Sequence, residues 1–198
     1  LRPALQIIKA RKGLDLVSSF FIMQMPNTNL GLSGKFIFSD CGLVINPTED
    51  DLVEIVLESY DSFKKLLNEE PKIALLSYST LDDIKDENVI KLQNVVRRVK
   101  EINNNINIDG QLQLDAAIIE DVAKIKAPNS SVAGKANVLI FPNLESGNIA
   151  YKIAERFGNM TALGPITQGM DKPVNDLSRG CSVDDIVGVI AITCIQSM

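Results

Sequence analysis

The segment from Gly164 to Asp185 carries the residues of this sequence that are best suited to chemistry. Glycines, prolines, serines, an asparagine, an arginine and aspartates stand there between two apolar stretches. Glycine and proline favour backbone conformations that other residues resist, so the segment can hold Asn175, Ser178 and Arg179 rigidly. The guanidinium of Arg179 adds a planar fork of donors that suits phosphate or carboxylate. The pattern therefore predicts a loop that surrounds a small anion.

A helix is predicted to begin directly after this loop. Ser182 and Asp185 form the S-x-x-D pattern of a helix N-terminus ahead of Ile186. The free N–H groups and the positive end of the helix dipole favour a bound phosphate or carboxylate at such a place. Two interpretations stay open at this point: Ser182 and Asp185 contribute to an anion site, or they only cap the helix.

The composition excludes several kinds of chemistry. The chain has no histidine, which excludes Ser-His-Asp and Cys-His catalysis and histidine-ligated zinc, and leaves a carboxylate to accept protons. A net charge of −5 argues against nucleic acid or an anionic membrane as a partner. Cys41, Cys181 and Cys194 lack the spacing of a disulfide framework or a metal site, so we expect a reducing cytoplasm and no metal.

The elements that position the loop follow from the hydrophobic pattern. Two β-rich runs, 17–25 and 35–44, predict a hairpin, and a helix follows from about 48 to 67. Strands are then predicted over 72–79, 110–118, 136–142 and 161–168, and helices over 86–102, 121–126, 145–157 and 182–198. This alternation predicts an α/β fold with a mixed, mostly parallel sheet and helices on both faces. The last helix is apolar almost all round, which predicts burial.

Polar residues follow several of the predicted strands. They are Ser77 and Ser79 after IALL, Asp115 after QLQL, and Asn148 in the polar run after VLIFP. Each can be an ordinary turn or capping residue, but ligands of such sheets lie at the carboxyl ends of the strands, so their convergence favours one shared site. No Walker A or G-x-G-x-x-G motif follows a strand, which gives nucleotide hydrolysis and dinucleotide binding no support.

The string KPVNDLSRGCS resembles the carboxy-terminal signature of phosphate acetyltransferases (phosphotransacetylases). Further similar stretches are RPALQIIK from Arg2, FSDC with INP, LLSYST, DGQLQLDAA, and KAPNSSVAGKANVLIFPNLESGNIAYK ending at Lys152. They occur in the order of that family and span nearly the whole chain. The resemblance implies a fold like that of isocitrate and isopropylmalate dehydrogenases, in which two α/β domains flank a cleft and the chain returns at its end to the first domain.

The resemblance also implies a domain division. We expect residues 1–12 to be a remnant of the first domain, residues 13–171 to be a complete second domain, and residues 172–198 to be the return segment and helix of the first. The chain is then a fragment of a longer polypeptide. Whether the fragment is active without the rest of the cleft stays open, as does the oligomeric state of the fragment.

The implied reaction exchanges acetyl between acetyl phosphate and coenzyme A, giving acetyl-coenzyme A and phosphate. By resemblance, Asp185 acts as the base on the coenzyme thiol, while Arg179 and Ser178 hold the phosphate and the polarised acyl group. Arg2 is a further contact to substrate or coenzyme. The other expected binding residues are Asn175, Ser182, Ser77, Ser79 and Asn148. Coenzyme A is a substrate, no cofactor is permanently bound, and a cytoplasmic homodimer of acetate metabolism is expected.

This chemistry makes a demand on Asp185. A thiol with a pKa of about 8.5 and an ordinary aspartate near 3.9 differ by roughly 6 kcal/mol in proton affinity, so the base must be desolvated. The helix dipole opposes this, because it favours the charged carboxylate and weakens it as a base. Our hypothesis is that Asp185 caps the helix in the open cleft and turns to the thiol on closure.

Two other functions are compatible with the resemblance. Domains similar to this family follow malic enzymes, where they sense acetyl-coenzyme A without catalysing transfer, and phosphate butyryltransferases use a longer acyl group. The intact string NDLSRGCSVDD favours catalysis over sensing, and the close match at KPVNDLSRGCS favours the acetyl enzyme over the butyryl one.

Overall fold

A computed structural model describes residues 2–26 and 28–198, and the side chain of Arg2 lies outside the described part. The strands are β1 (Ser18–Gln24), β2 (Lys35–Ser39), β3 (Lys72–Leu76), β4 (Asn107–Leu112), β5 (Val138–Ile140) and β6 (Thr161–Gln168). The helices are α1 (Arg2–Ile7), α2 (Leu30–Ser33), α3 (Glu49–Leu67), α4 (Glu87–Ile102), α5 (Leu114–Ile118), α6 (Glu120–Lys126), α7 (Leu144–Arg156) and α8 (Val183–Gln196).

The strands form one sheet in the order β4-β3-β5-β2-β1-β6. The pairs β4–β3, β3–β5 and β5–β2 are parallel, whereas β1 runs antiparallel to both of its neighbours, β2 and β6. The other five strands therefore point the same way, and their carboxyl ends meet at one edge of the sheet. The mixed, mostly parallel sheet expected from the sequence is confirmed.

Alternating side chains build a core on each face of the sheet. In β1, Phe20 and Ile22 face the core formed with α3, α4 and α8, while Phe21 and Met23 face the core formed with α5, α6 and α7. All four side chains are buried. Because the side chains of a strand alternate between faces, both faces of β1 need a helical cover, and the chain supplies one on each.

Local capping signals set the starts of the long helices. The side chain of Thr48 accepts a hydrogen bond from the N–H of Asp51 at 3.2 Å, and the carboxylate of Asp51 accepts one from the N–H of Thr48 at 2.8 Å. Asp86 caps α4 by accepting from the N–H groups of Asn88 and Val89. These caps satisfy N–H groups that a helix leaves without partners in its first turn, which is why both starts were predictable from sequence.

One sequence prediction is wrong in detail, and the burial predicted for the last helix is met on one face only. The strand predicted over 110–118 is β4 followed by α5, because the N–H groups of Ala117 and Ile119 bond back to Gln113 and Asp115 in helical fashion. The last helix, α8, is not buried all round. It lies against the edge strand β6 and α3, so only Val189 and Ile192 are buried, while Val187 and Ile190 stay more than half exposed.

The backbone that follows α1 lies beside the backbone that follows β6. Ala10 and Met170 form an antiparallel bridge, the N–H of Arg11 donates to the carbonyl of Gly169, and the N–H of Asp171 donates to that of Lys9. In the same place Arg11 forms an ion pair of 2.5 Å with Glu58 of α3, which is 7% exposed. No helix within the described residues is both long enough and apolar enough to cross a membrane.

Candidate functional site

A cavity of about 450 Å³ lies where β6, α7, the start of α8 and the loop after β2 meet. One side of it is lined by Asp176, Leu177, Ser178, Gly180, Cys181 and Asp185. The other side is formed by α7, through side chains that include Asn148, Tyr151, Lys152 and Arg156. The cavity thus joins the chemistry-bearing loop to a helix that carries two cations.

Asp185 reaches the cavity from the first turn of α8. Its carboxylate accepts hydrogen bonds from the N–H and the hydroxyl of Ser182, both at 2.8 Å, and the Ser182 hydroxyl accepts one from the N–H of Asp185 at 3.1 Å. The two side chains therefore form a capping box, in which Ser182 is exposed and Asp185 is partly buried. Capping and cavity lining coincide at Asp185, whereas Ser182 caps the helix and does not line the cavity.

A tight turn presents Ser178 to the cavity. The N–H of Cys181 donates to the Ser178 carbonyl at 3.1 Å, and the N–H of Gly180 donates to the Ser178 hydroxyl at 3.3 Å. Arg179 lies within this turn between two cavity-lining residues, but its own side chain does not line the cavity. It is exposed and pairs with none of the residues that the structure describes. The guanidinium is therefore available to a ligand or to another part of the protein.

Asn175 has a different position from the one expected. Its amide donates to the hydroxyl of Thr193 and the side-chain carbonyl of Gln196 on α8, and its oxygen accepts from the N–H of Thr167 on β6, each at 2.8 Å. These bonds tie the loop to α8 and β6, away from the cavity. Sequence alone could not show this, because the partners of Asn175 lie on neighbouring elements.

Ser77 and Ser79 are also not brought to the cavity. Ser77 lines a separate cavity beside Asn143 and Ser146, and Ser79 is buried with its hydroxyl unpaired among the described residues. The sheet order explains this, because β3 stands four strands from β6, roughly 19 Å at the usual strand spacing of about 4.8 Å. These two serines therefore do not meet the other polar strand ends at this cavity, and their assignment to substrate or coenzyme stays a prediction. The side chain of Arg2 lies outside the described residues.

Sequence reasoning missed Lys152 as a site residue. Its ammonium lies 2.5 Å from the side-chain oxygen of Asn148 and 4.7 Å from the centroid of the Tyr151 ring, which in turn stacks on Phe21. Hydrogen bonding and a cation–π contact thus hold the charge at the cavity wall. The available signal was the spacing of Asn148 and Lys152, which places both on one face of a helix.

The loop after β2 closes the floor of the cavity with Cys41 and Gly42. Burial, together with the neighbouring carboxylate of Asp40, raises the pKa of the Cys41 thiol well above its ordinary value, which favours the neutral thiol at the cavity floor. No group of three or more His, Cys, Asp or Glu residues within the described ranges could hold a metal ion.

Comparisons with known proteins agree on one family. The sequence profile described as Phosphate acetyl/butaryl transferase matches residues 1–194. The phosphate acetyltransferase of Acetivibrio thermocellus is 54% identical over 197 residues, which cover 100% of this chain and 59% of that protein. A crystal structure of a phosphotransacetylase from Streptococcus pyogenes is 45% identical and superimposes with a TM-score of 0.91, over 99% of this chain and 58% of that one.

A more distant structure shows the fold alone. The 4-hydroxythreonine-4-phosphate dehydrogenase of Klebsiella pneumoniae is 10% identical, with a TM-score of 0.55 over 100% of this chain and 57% of that one, in line with the expected dehydrogenase-like fold. The chain spans about three-fifths of the length of the phosphate acetyltransferases that it matches. With a matching profile over nearly its whole length and relatives that are half identical, the chain belongs to the phosphate acetyl/butyryl transferase family.

Proposed function

We propose that the protein transfers an acetyl group between acetyl phosphate and coenzyme A. The observation that carries this proposal is the cavity that joins Asp185 and Ser178 to the ammonium of Lys152. It offers a carboxylate that can accept a proton next to donors that can bind a phosphate. A close family relationship supports the same reaction.

The reaction uses these groups in order. Asp185 accepts the proton of the coenzyme thiol, and the thiolate sulfur forms a bond to the carbonyl carbon of acetyl phosphate. The bond from that carbon to the phosphate oxygen then breaks, and phosphate leaves with the electron pair. The negative charge that develops on the acyl and phosphate oxygens is stabilised by the hydroxyl of Ser178 and by the cations of Lys152 and Arg179.

Two residues need closure of the cleft in this proposal. Asp185 must exchange its bonds to Ser182 for the thiol, and desolvation on closure then makes it a stronger base. Arg179 stands between cavity-lining residues, and we assign its guanidinium to the phosphate once the loop meets substrate.

Arg2 is assigned to substrate or coenzyme on the resemblance of RPALQIIK alone. Coenzyme A acts as a substrate, without a permanently bound cofactor.

We infer the same division into domains as from the sequence, at about 12/13 and 171/172. The pairing of Ala10 with Met170 supports this division. It places the two proposed domain boundaries side by side, as expected where a chain enters a domain and leaves it again. The exposed apolar side chains of Val187 and Ile190 on α8 provide a surface that a first domain can cover.

We also propose a homodimer in the cytoplasm. Ile149, Ile153 and Phe157 lie on or next to α7 and are more than half exposed, which supports association of two copies. The three cysteines are free thiols, which suits a reducing compartment. Sedimentation of the protein tests the dimer, and a monomer at micromolar concentration would refute it.

The test of function is formation of acetyl-coenzyme A from acetyl phosphate and coenzyme A. It is run on the longest form of the protein that its gene encodes and on the 198 residues alone, with butyryl phosphate as a competing substrate. Arg179→Gln is expected to lower kcat about a hundredfold, whereas Arg97→Gln, an exposed arginine of α4, leaves it unchanged. Absence of transfer by the longest form refutes the function, and full activity of Arg179→Gln refutes its role.

A further inference from the structure

A buried carboxylate organises the loop that forms the cavity floor. Asp40 is 3% exposed and accepts hydrogen bonds from both the N–H and the hydroxyl of Ser19. It also accepts from the N–H groups of Gly42, Leu43 and Val44, at 2.6, 3.1 and 3.1 Å. Because bonds to an ionised acceptor are roughly twice as strong as neutral ones, this single side chain fixes the backbone of the loop.

The fixed loop determines the orientation of Asn148. The carbonyl oxygen of Cys41 accepts a hydrogen bond from the side-chain amide of Asn148 at 3.0 Å. Since the NH₂ group of Asn148 is turned to this carbonyl, its side-chain oxygen faces the other way, toward Lys152. The amide thus transmits the position of the loop to the ammonium.

A close backbone contact supports the same linkage. Gly147 precedes Asn148 in α7, and a Cβ atom there would lie 2.4 Å from the carbonyl oxygen of Asp40. The helix and the loop are therefore in direct backbone contact at the residue next to Asn148. A displacement of the loop has to move the first turns of α7, and with them Lys152.

We propose that Asp40 and Asn148 are positioning residues, which hold the ammonium of Lys152 where it binds the phosphate group of a substrate. This inference rests on the proposed function. Acetyl phosphate and coenzyme A both carry phosphate, so the shared ligand chemistry is a phosphate dianion. Lys152 contacts the ligand, whereas the two positioning residues act only through it.

A double-mutant cycle tests the linkage in the longest form of the protein. Lys152→Met is expected to raise the KM for acetyl phosphate at least tenfold, as for loss of a charged hydrogen bond, with a smaller effect on kcat. Asn148→Ala is expected to raise the same KM about threefold to tenfold. Because Asn148 acts through Lys152, the double variant should be no worse than Lys152→Met alone. Lys152→Arg should restore part of the affinity.

Asp40→Asn extends the cycle to the loop. Its effect on the KM should likewise disappear in the Lys152→Met background. If it does not fold, the Asn148 cycle alone decides. Lys100→Met, an exposed lysine of α4, is the matched control and should change neither constant. Additive effects in the Asn148 cycle, or an unchanged affinity for phosphate in Lys152→Met, overturn the proposal.

Binding of inorganic phosphate, measured by calorimetry on the same variants, separates this proposal from the proposed function. If the variants at Asn148 and Lys152 lose phosphate binding non-additively and no acetyl transfer is observed, the proposed function is refuted and the positioning role of Asn148 is supported. If acetyl transfer is observed but the effects of the two variants are additive, the proposed function is supported and the positioning role is refuted. If the KM for coenzyme A rises instead of that for acetyl phosphate, the same cycle supports the positioning role and assigns the bound phosphate to the coenzyme.

Discussion

Gly147 offers the sharpest test of how α7 meets the cavity floor. A Cβ atom at this position would lie 2.4 Å from the carbonyl oxygen of Asp40 and 3.1 Å from the sulfur of Cys41. Because non-bonded heavy atoms prefer separations of about 3.5 Å, Gly147→Ala must move the helix and the loop apart by about 1 Å. Overpacking of this kind costs about 1–3 kcal/mol, partly offset by about 1 kcal/mol from the better helix propensity of alanine.

The expected result is a net loss of up to about 2 kcal/mol in the free energy of unfolding and a loss of acetyl transfer by about a hundredfold. The matched control is Gly188→Ala in α8, where the new Cβ would meet only the flexible end of Leu163 at 3.0 Å. Urea unfolding and the transfer assay on both variants compare the two effects. Wild-type activity and stability in Gly147→Ala would refute the contact between α7 and the loop.

Three further predictions concern groups around the site. Burial raises the pKa of Glu58, although Arg11 opposes this shift. The stability contributed by protonated Glu58 is therefore complete below the pKa of the unfolded chain, about 4.3. It is lost as the pH rises through the higher pKa of the folded protein. In urea unfolding, Glu58→Gln should therefore gain stability relative to the wild type as pH rises above about 4.3, and a flat or falling difference would contradict this. At pH 8, iodoacetamide should alkylate Cys194 and spare Cys41 until the protein unfolds; equal labelling by peptide mass spectrometry would show that burial fails to protect Cys41. Asn175→Ala should lower the free energy of unfolding by about 1–3 kcal/mol with little change in either KM, and a raised KM at unchanged stability would assign Asn175 to substrate instead.

Local signals made much of the fold predictable. The strand β6 has the predicted bounds, 161–168, and α3 begins at the capping box that Thr48 and Asp51 form. The alternating QLQL, in contrast, suggested a strand beyond Leu112 where the backbone turns into α5. In that stretch the alternation of Gln and Leu imitates a strand, and the helical bonds of Ala117 and Ile119 prevail.

The site was harder to predict, because its geometry depends on strand order and on partners distant in sequence. Ser178 and Asp185 lie in one continuous segment, so their proximity was predictable. Ser77 was placed with them because strand ends share an edge, but its strand lies far along that edge. The spacing of Asn148 and Lys152 is the sole sequence signal for Lys152, and its contact with Asn148 at the cavity is what distinguishes it from other exposed lysines.

The proposed acetyl transfer depends most on Asp185, the group that accepts the thiol proton. Asp184 lies beside it in the first turn of α8, is exposed and does not line the cavity, so it carries the same charge near the same helix terminus. The decisive measurement is kcat for acetyl transfer by Asp185→Asn and Asp184→Asn in the longest form of the protein. A fall of at least a hundredfold in Asp185→Asn alone is predicted. Equal turnover in the two variants, at normal affinity for both substrates, would contradict it.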